Sequence, residues 1–88
     1  MLITKPVKIK NLSGTIYDFE NIDDELPRHT HGENDVHISI VAKGKLKVIS
    51  DTWEHDAECG TVLDWEPGVY HTFVALEPGS RLINLVKT

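Results

Sequence analysis

Five histidines are spread over 88 residues, and four of them fall where extended backbone can bring their rings together. His29 and His31 are two apart, so a strand projects both rings from the same face. His37 opens an apolar run, and His71 follows Gly68 by three residues at the head of another. Neutral imidazole is a good ligand for zinc, iron, nickel and copper, at about 2.0–2.2 Å. A plain apolar core would not carry a polar ring at each of these places, because every buried imidazole needs partners for both nitrogens. The expected chemistry is one divalent transition metal ion held by His29, His31, His37 and His71. His55, between Glu54 and Asp56, reads instead as an exposed hairpin residue; as a general base it would have to stand on the far side of the site.

The elements that must position these rings read as short strands. VKIK (7–10) and TIYDF (15–19) flank a turn expected at Asn11 to Gly14. ENIDDELP (20–27) lacks alternation and reads as a loop, and Pro27 biases the chain toward extended geometry before Arg28–His31. Gly32 to Asp35 is a polar connection. DVHISIVA (35–42) is the strongest strand, with Val36, Ile38, Ile40 and Ala42 on one face and His37, Ser39 and Val41 on the other. Neither face is polar throughout, so both sides should be covered, one by the site and barrel interior and one by a second layer or a partner protomer. KLKVIS (45–50), TWEHD (52–56), TVLDW (61–65), VYHTFVAL (69–76) and RLINLVK (81–87) follow, separated by turns at Lys43-Gly44, Ser50-Asp51, Glu58–Gly60, Glu66–Gly68 and Glu77–Ser80. In VYHTFVAL, His71, Phe73 and Ala75 share a face. About eight strands at regular spacing, with no helix of useful length, predict a small all-β sandwich or barrel.

Length and composition bound the rest. A 9.9 kDa chain should form one domain with a folded surface of roughly 5,200 Å², a modest core that a metal or a partner subunit would reinforce. Nine basic against fourteen acidic residues, a formal charge of −5, argue against nucleic acid or an anionic membrane as partner. No apolar run reaches membrane length, and MLITKPVKIKN lacks a secretory core. Cys59 is alone, which excludes a disulfide framework and a thiolate metal site and favours a reducing, cytoplasmic setting.

Two spaced motifs resemble those of the cupin family. In its first motif a His-x-His pair is followed by an acidic ligand and then, after six residues, a glycine. Here the pair is His29-Thr30-His31 and the glycine is Gly44, which places His37 where most members carry glutamate. The second motif matches GTVLDWEPGVYH, with Gly60, Gly68 and His71; Pro67 directly precedes Gly68 instead of standing one residue further back, and Ala75 replaces a frequent asparagine. The resemblance covers most of residues 25–87 and implies a double-stranded β-helix, or jelly roll, around a metal bound by His29, His31, His37 and His71. It leaves the reaction open, since cupins include dioxygenases, isomerases, lyases, sugar-binding and storage proteins.

A histidine in place of the glutamate leaves the ion's two positive charges uncompensated. That disfavours manganese and favours iron, nickel, copper or zinc, and it makes the centre a stronger Lewis acid. The alternative donor set has Glu33 or Asp35 on the metal and His37 behind it. Tyr17, Trp65, Tyr70 and Phe73 are candidates for a pocket or for packing, with Phe73, on the face of His71, placed to pack just below the metal. Arg28 and Arg81 are candidates for a substrate carboxylate, against a surface role; Asp23-Asp24-Glu25 reads as solvated loop. The functional expectation is a metal-dependent, oxygenase-like enzyme acting on a small molecule, with a metal-assisted lyase or isomerase close behind. A non-catalytic metal- or ligand-binding sensor or structural domain is the rival. A homodimer is expected from the two covered faces of residues 35–42.

Overall fold

The computed structural model describes residues 1–30 and 36–87. Nine strands run in chain order: β1 (Leu2–Ile9), β2 (Leu12–Phe19), β3 (Glu25–His29), β4 (His37–Lys43), β5 (Lys45–Ser50), β6 (Glu54–Glu58), β7 (Val62–Asp64), β8 (His71–Ala75) and β9 (Ser80–Lys87). They form two antiparallel sheets, one ordered β1-β2-β9-β4-β7 and the other β3-β8-β5-β6. The sheets face each other over a core of Phe19, Leu26, Val41, Leu46, Val48, Ala57, Trp65, Phe73, Ala75 and Leu82. The all-β expectation holds, and the surface of 5178 Å² matches the area expected for a compact chain of this mass.

Several boundaries differ from the sequence reading. β1 starts at Leu2 and β2 at Leu12, so the turn between them is Lys10-Asn11, with Lys10 at a φ of 54°, and Ser13 and Gly14 lie inside the ladder. The expected loop at 20–27 is shorter, because Glu25 and Leu26 already pair with Val74 and Phe73. Trp53 precedes β6 and does not lie within it.

Burial follows the strand period of two. On β4 the inward face is the more polar one: His37, Ser39 and Val41 are buried, while Ile38, Ile40 and Ala42 are half-buried. β9 repeats the pattern, with Ser80, Leu82 and Asn84 inside and Arg81, Ile83 and Leu85 outside. Strand register aligns the inward residues in rows across the five-stranded sheet. Ser13, Val86 and His37 form one row; Thr15, Asn84 and Ser39 the next; Tyr17, Leu82 and Val41 a third.

Gly44 shows why one motif position is a glycine. Its φ is +70°, and a Cβ there would lie 2.2 Å from Ser80 Oγ and 2.9 Å from Ser80 Cα. Ser80 Oγ in turn accepts from Lys45 N and donates to Glu77 O, at 3.1 and 2.8 Å, which ties the β4–β5 turn to the start of β9.

Candidate metal centre

His29 and His71 are direct cross-strand partners in the four-stranded sheet. Strand alternation alone would not point both rings inward. Leu26 pairs with Phe73, and both are core; two residues on from Leu26 is Arg28, not His29. The register shifts by one residue between Leu26 and His29, so a bulge containing Pro27 and Arg28 lies opposite Thr72 alone. Proline, lacking an N–H, suits a place where the ladder is interrupted. The bulge changes which face the chain presents and turns His29 toward His71.

His37 comes from the opposite sheet, at the head of β4. The His29 and His71 ring centroids are 4.4 Å apart, and those of His37 and His71 are 4.9 Å apart. Two imidazoles sharing an ion at about 2.1 Å would have centroids roughly 4.6 Å apart at a right angle and 5.3 Å apart at a tetrahedral angle. The His37–His71 pair falls within that range and the His29–His71 pair just below it. Among the described residues, however, no three His, Cys, Asp or Glu side chains form a ready-made donor set for one ion. His31, like the alternative donors Glu33 and Asp35, lies outside the described residues.

The tautomer of His29 suits a ligand. Its Nδ1 is 2.7 Å from Pro27 O, and a carbonyl only accepts, so Nδ1 carries the hydrogen. The neutral ring then has its lone pair on Nε2, the arrangement by which a backbone carbonyl orients a metal-binding histidine.

Trp65 closes the inner side of the cluster. Its indole lies nearly parallel to the His71 ring, 4.2 Å between centroids and 18° between planes, and stacks on Trp53 at 5.6 Å. Its backbone N–H donates to His37 O at 2.9 Å. Phe73 is fully buried and meets His71 edge-on at 5.6 Å.

The indole N–H also begins a buried polar chain. Trp65 Nε1 donates to Ser39 Oγ at 2.9 Å, and Ser39 Oγ donates to Asn84 Oδ1 at 2.5 Å. Sequence reasoning put Ser39 on the face of His37 but did not single out Asn84. Parity puts Asn84 on the face of Leu82 in RLINLVK, but the opposite face carries Ile83 and Leu85, so the alternation does not mark which side is buried.

The other candidates serve locally. Arg81 bonds the Asp18 carboxylate through Nε and Nη2 at 2.7 and 3.2 Å, and Arg28 reaches Asp51 at 3.1 Å while covering the Tyr70 ring at 4.0 Å. Both guanidinium groups are thus engaged in protein contacts. His55 is exposed, as expected, and packs against Trp53 with centroids 5.3 Å apart. Cys59 is exposed with a free thiol.

No protein-family model matches the chain, and neither does any curated protein. Solved structures do match. KdgF from a Halomonas species superposes with a TM-score of 0.84 at 23% identity, over 98% of this chain and 79% of that one. An RmlC-like cupin from Desulfovibrio desulfuricans gives 0.82 at 21% identity, over 97% and 81%. The fold is that of the cupin barrel. A cupin 2 conserved barrel domain protein from Salinispora arenicola agrees, with a TM-score of 0.80 at 16% identity over 99% of this chain and 76% of that one. At such identities the likeness is one of architecture. Within the cupin barrel, the histidine cluster of this chain joins the two sheets at one end.

Proposed function

We propose that this chain is a mononuclear metal-binding cupin acting on a small molecule, with His29, His31, His37 and His71 as ligands. The observation that carries the reading is the meeting of His29, His37 and His71 from two sheets, with ring centroids at 4.4 and 4.9 Å. The Nδ1 contact of His29 supports it, because it directs Nε2 outward from the bulge. His37 replaces the glutamate of the resembling motif, and the all-imidazole set selects iron, nickel, copper or zinc over manganese. Such an ion supplies Lewis-acid chemistry and a coordination site for an oxygenated substrate. The protein's own part is to fix the rings: the Pro27 bulge holds His29, the Trp65 indole backs His71, and the Trp65 N–H anchors the His37 carbonyl.

An oxygenase-type reaction on a bidentate substrate is the first reading of the chemistry, with a lyase or isomerase using the same residues. Dioxygen consumption separates them: metal-dependent turnover that consumes dioxygen supports the first, and turnover under argon overturns it. A non-catalytic sensor predicts ligand binding with no turnover at all.

We further propose a homodimer formed through the outer face of the five-stranded sheet. Lys5, Ile16, Ile83, Ile40 and Val62 align in one row across it, and Val7, Gly14, Leu85 and Ile38 in the next. Val62 is 61% and Ile9 52% exposed, which a second copy would cover. No helix among the described residues is long and apolar enough to cross a membrane. The free thiol of Cys59 supports a reducing, cytoplasmic setting.

A further inference from the structure

The chain's two tryptophans lie in one stack that runs from the histidine cluster toward the surface. Trp65 is 6% exposed, and its indole lies almost flat against the fully buried His71 ring, 4.2 Å between centroids. Trp53 is half-buried and lies within 5° of parallel to Trp65, at 5.6 Å. Beyond it stands the exposed His55 ring, 5.3 Å from that of Trp53. The rings thus follow one another from the core to solvent, each stacked or tilted against the next.

Hydrogen bonds hold the two residues in place. Trp65 is fixed at both nitrogens, its backbone N–H on His37 O and its Nε1–H on Ser39 Oγ, each at 2.9 Å. Trp53 closes the turn before β6, where its carbonyl accepts from Ser50 N at 2.8 Å. Such separations are common among packed aromatic rings, so the spacing alone assigns no role. Composition does. Indole is the most easily oxidised of the aromatic side chains, and both indoles of the chain stand in this row. Electron transfer between rings weakens steeply with the gap, so rings packed together exchange an electron quickly. The Trp65 N–H faces a hydroxyl, which is a poor base, so an oxidised Trp65 keeps its proton until an electron returns. Trp53 is the indole that reaches solvent, where a proton can leave.

We propose that Trp53 and Trp65 form an electron relay between the surface and the histidine cluster. An oxidising equivalent at a redox-active ion, iron or copper, draws one electron from Trp65 across the His71 contact. Trp65 recovers that electron from Trp53, whose radical cation releases its N–H proton to water. One electron and one proton from a soluble reductant of the ascorbate class then restore Trp53. The relay carries stray oxidising equivalents away from His71 and so protects the ligands from their own metal. The inference rests on the metal reading given above and adds that the ion is redox-active.

Protein loaded with copper(II) is given an equimolar amount of hydrogen peroxide without a reductant, and oxidised residues are mapped by mass spectrometry. Peroxide takes two electrons and two protons and leaves as water. Trp53 supplies both electrons through the relay in successive steps and takes one oxygen from water, giving hydroxytryptophan. The wild type should carry this product on Trp53, with His71 intact. Trp65→Phe keeps a flat ring beside His71 but not the oxidisable link, so the Trp53 product should be lost. In Trp53→Phe the added oxygen should appear at Trp65 and His71 instead. Undiminished Trp53 oxidation in Trp65→Phe, or in wild type loaded with redox-inert zinc, would show direct attack on a half-exposed ring and overturn the relay. An intact His71 in Trp53→Phe would overturn it too, and that variant decides should Trp65→Phe not fold. Copper content measured in every sample separates the two readings. Protein that holds copper yet fails these expectations loses the relay alone, whereas protein that holds none loses the metal centre and the relay with it.

Discussion

The indole of Trp65 lies against the imidazole of His71, 4.2 Å between centroids, while its N–H bonds Ser39 on the opposite sheet. One side chain therefore backs a proposed ligand and begins the buried polar chain, and two substitutions separate these roles. Trp65→Phe keeps a flat ring beside His71 but removes the N–H, and should cost about 1–3 kcal/mol of stability with metal content unchanged. Trp65→Ala removes the ring as well, and should cost about 3–5 kcal/mol and lower metal content. Urea unfolding with elemental analysis checks both, and equal effects of the two variants would contradict the division.

Gly44 and Gly79 both have positive φ, at 70° and 75°, yet only Gly44 is crowded. Gly44→Ala should cost at least about 2 kcal/mol, from backbone strain together with the collision at Ser80. Gly79→Ala should show the strain alone, about 1 kcal/mol. Denaturant midpoints of the two variants compare them directly.

The dimer proposal places Ile83 at the centre of the outer face, between Ile16 and Ile40. Light scattering at micromolar protein should give twice the chain mass for the wild type and the chain mass for Ile83→Glu. A monomeric wild type would remove the proposal.

The Arg81 guanidinium holds the Asp18 carboxyl below the usual value for an aspartate. The unfolded chain then takes up a proton at Asp18 more readily than the folded one as pH falls. The pair's contribution is present above about pH 4, the value for a free aspartate, and is lost as pH drops through the lowered folded value. Asp18→Asn should therefore be less stable than the wild type at neutral pH, with the gap closing in acid. A gap that widens in acid, measured by urea unfolding across the same range, would reverse the sign.

Much of this architecture was legible in residue order. The alternation in VYHTFVAL put His71, Phe73 and Ala75 on one face, and all three are buried. Turn chemistry located Gly44, Gly60, Gly68 and Gly79, all at positive φ. What escaped depended on cross-strand register. The bulge at Pro27-Arg28 changes the inward face of β3, which a regular period of two cannot express. The more polar face of β4 being the buried one depends on partners for Ser39 contributed by Trp65 and Asn84, distant in sequence. At the N-terminus, LITKPVKI has weak alternation and an internal proline, so its pairing with β2 shows only in the assembled sheet.

Because His29 and His71 belong to one sheet and His37 to the other, an ion among them would also fasten the barrel. At free metal one hundred times its dissociation constant, binding should add about 2.7 kcal/mol of stability. A chelator should remove that increment and leave His71→Ala unaffected. A chelator that leaves the wild-type urea midpoint in place would count against a shared ion.

The most direct measurement is elemental analysis of the purified wild type beside His71→Ala and His55→Ala. With one site, about one equivalent of iron, nickel, copper or zinc should accompany the wild type and His55→Ala, and little should remain with His71→Ala. Equal metal content in the two variants, or none in protein purified without chelator and offered each ion in turn, would contradict the histidine centre.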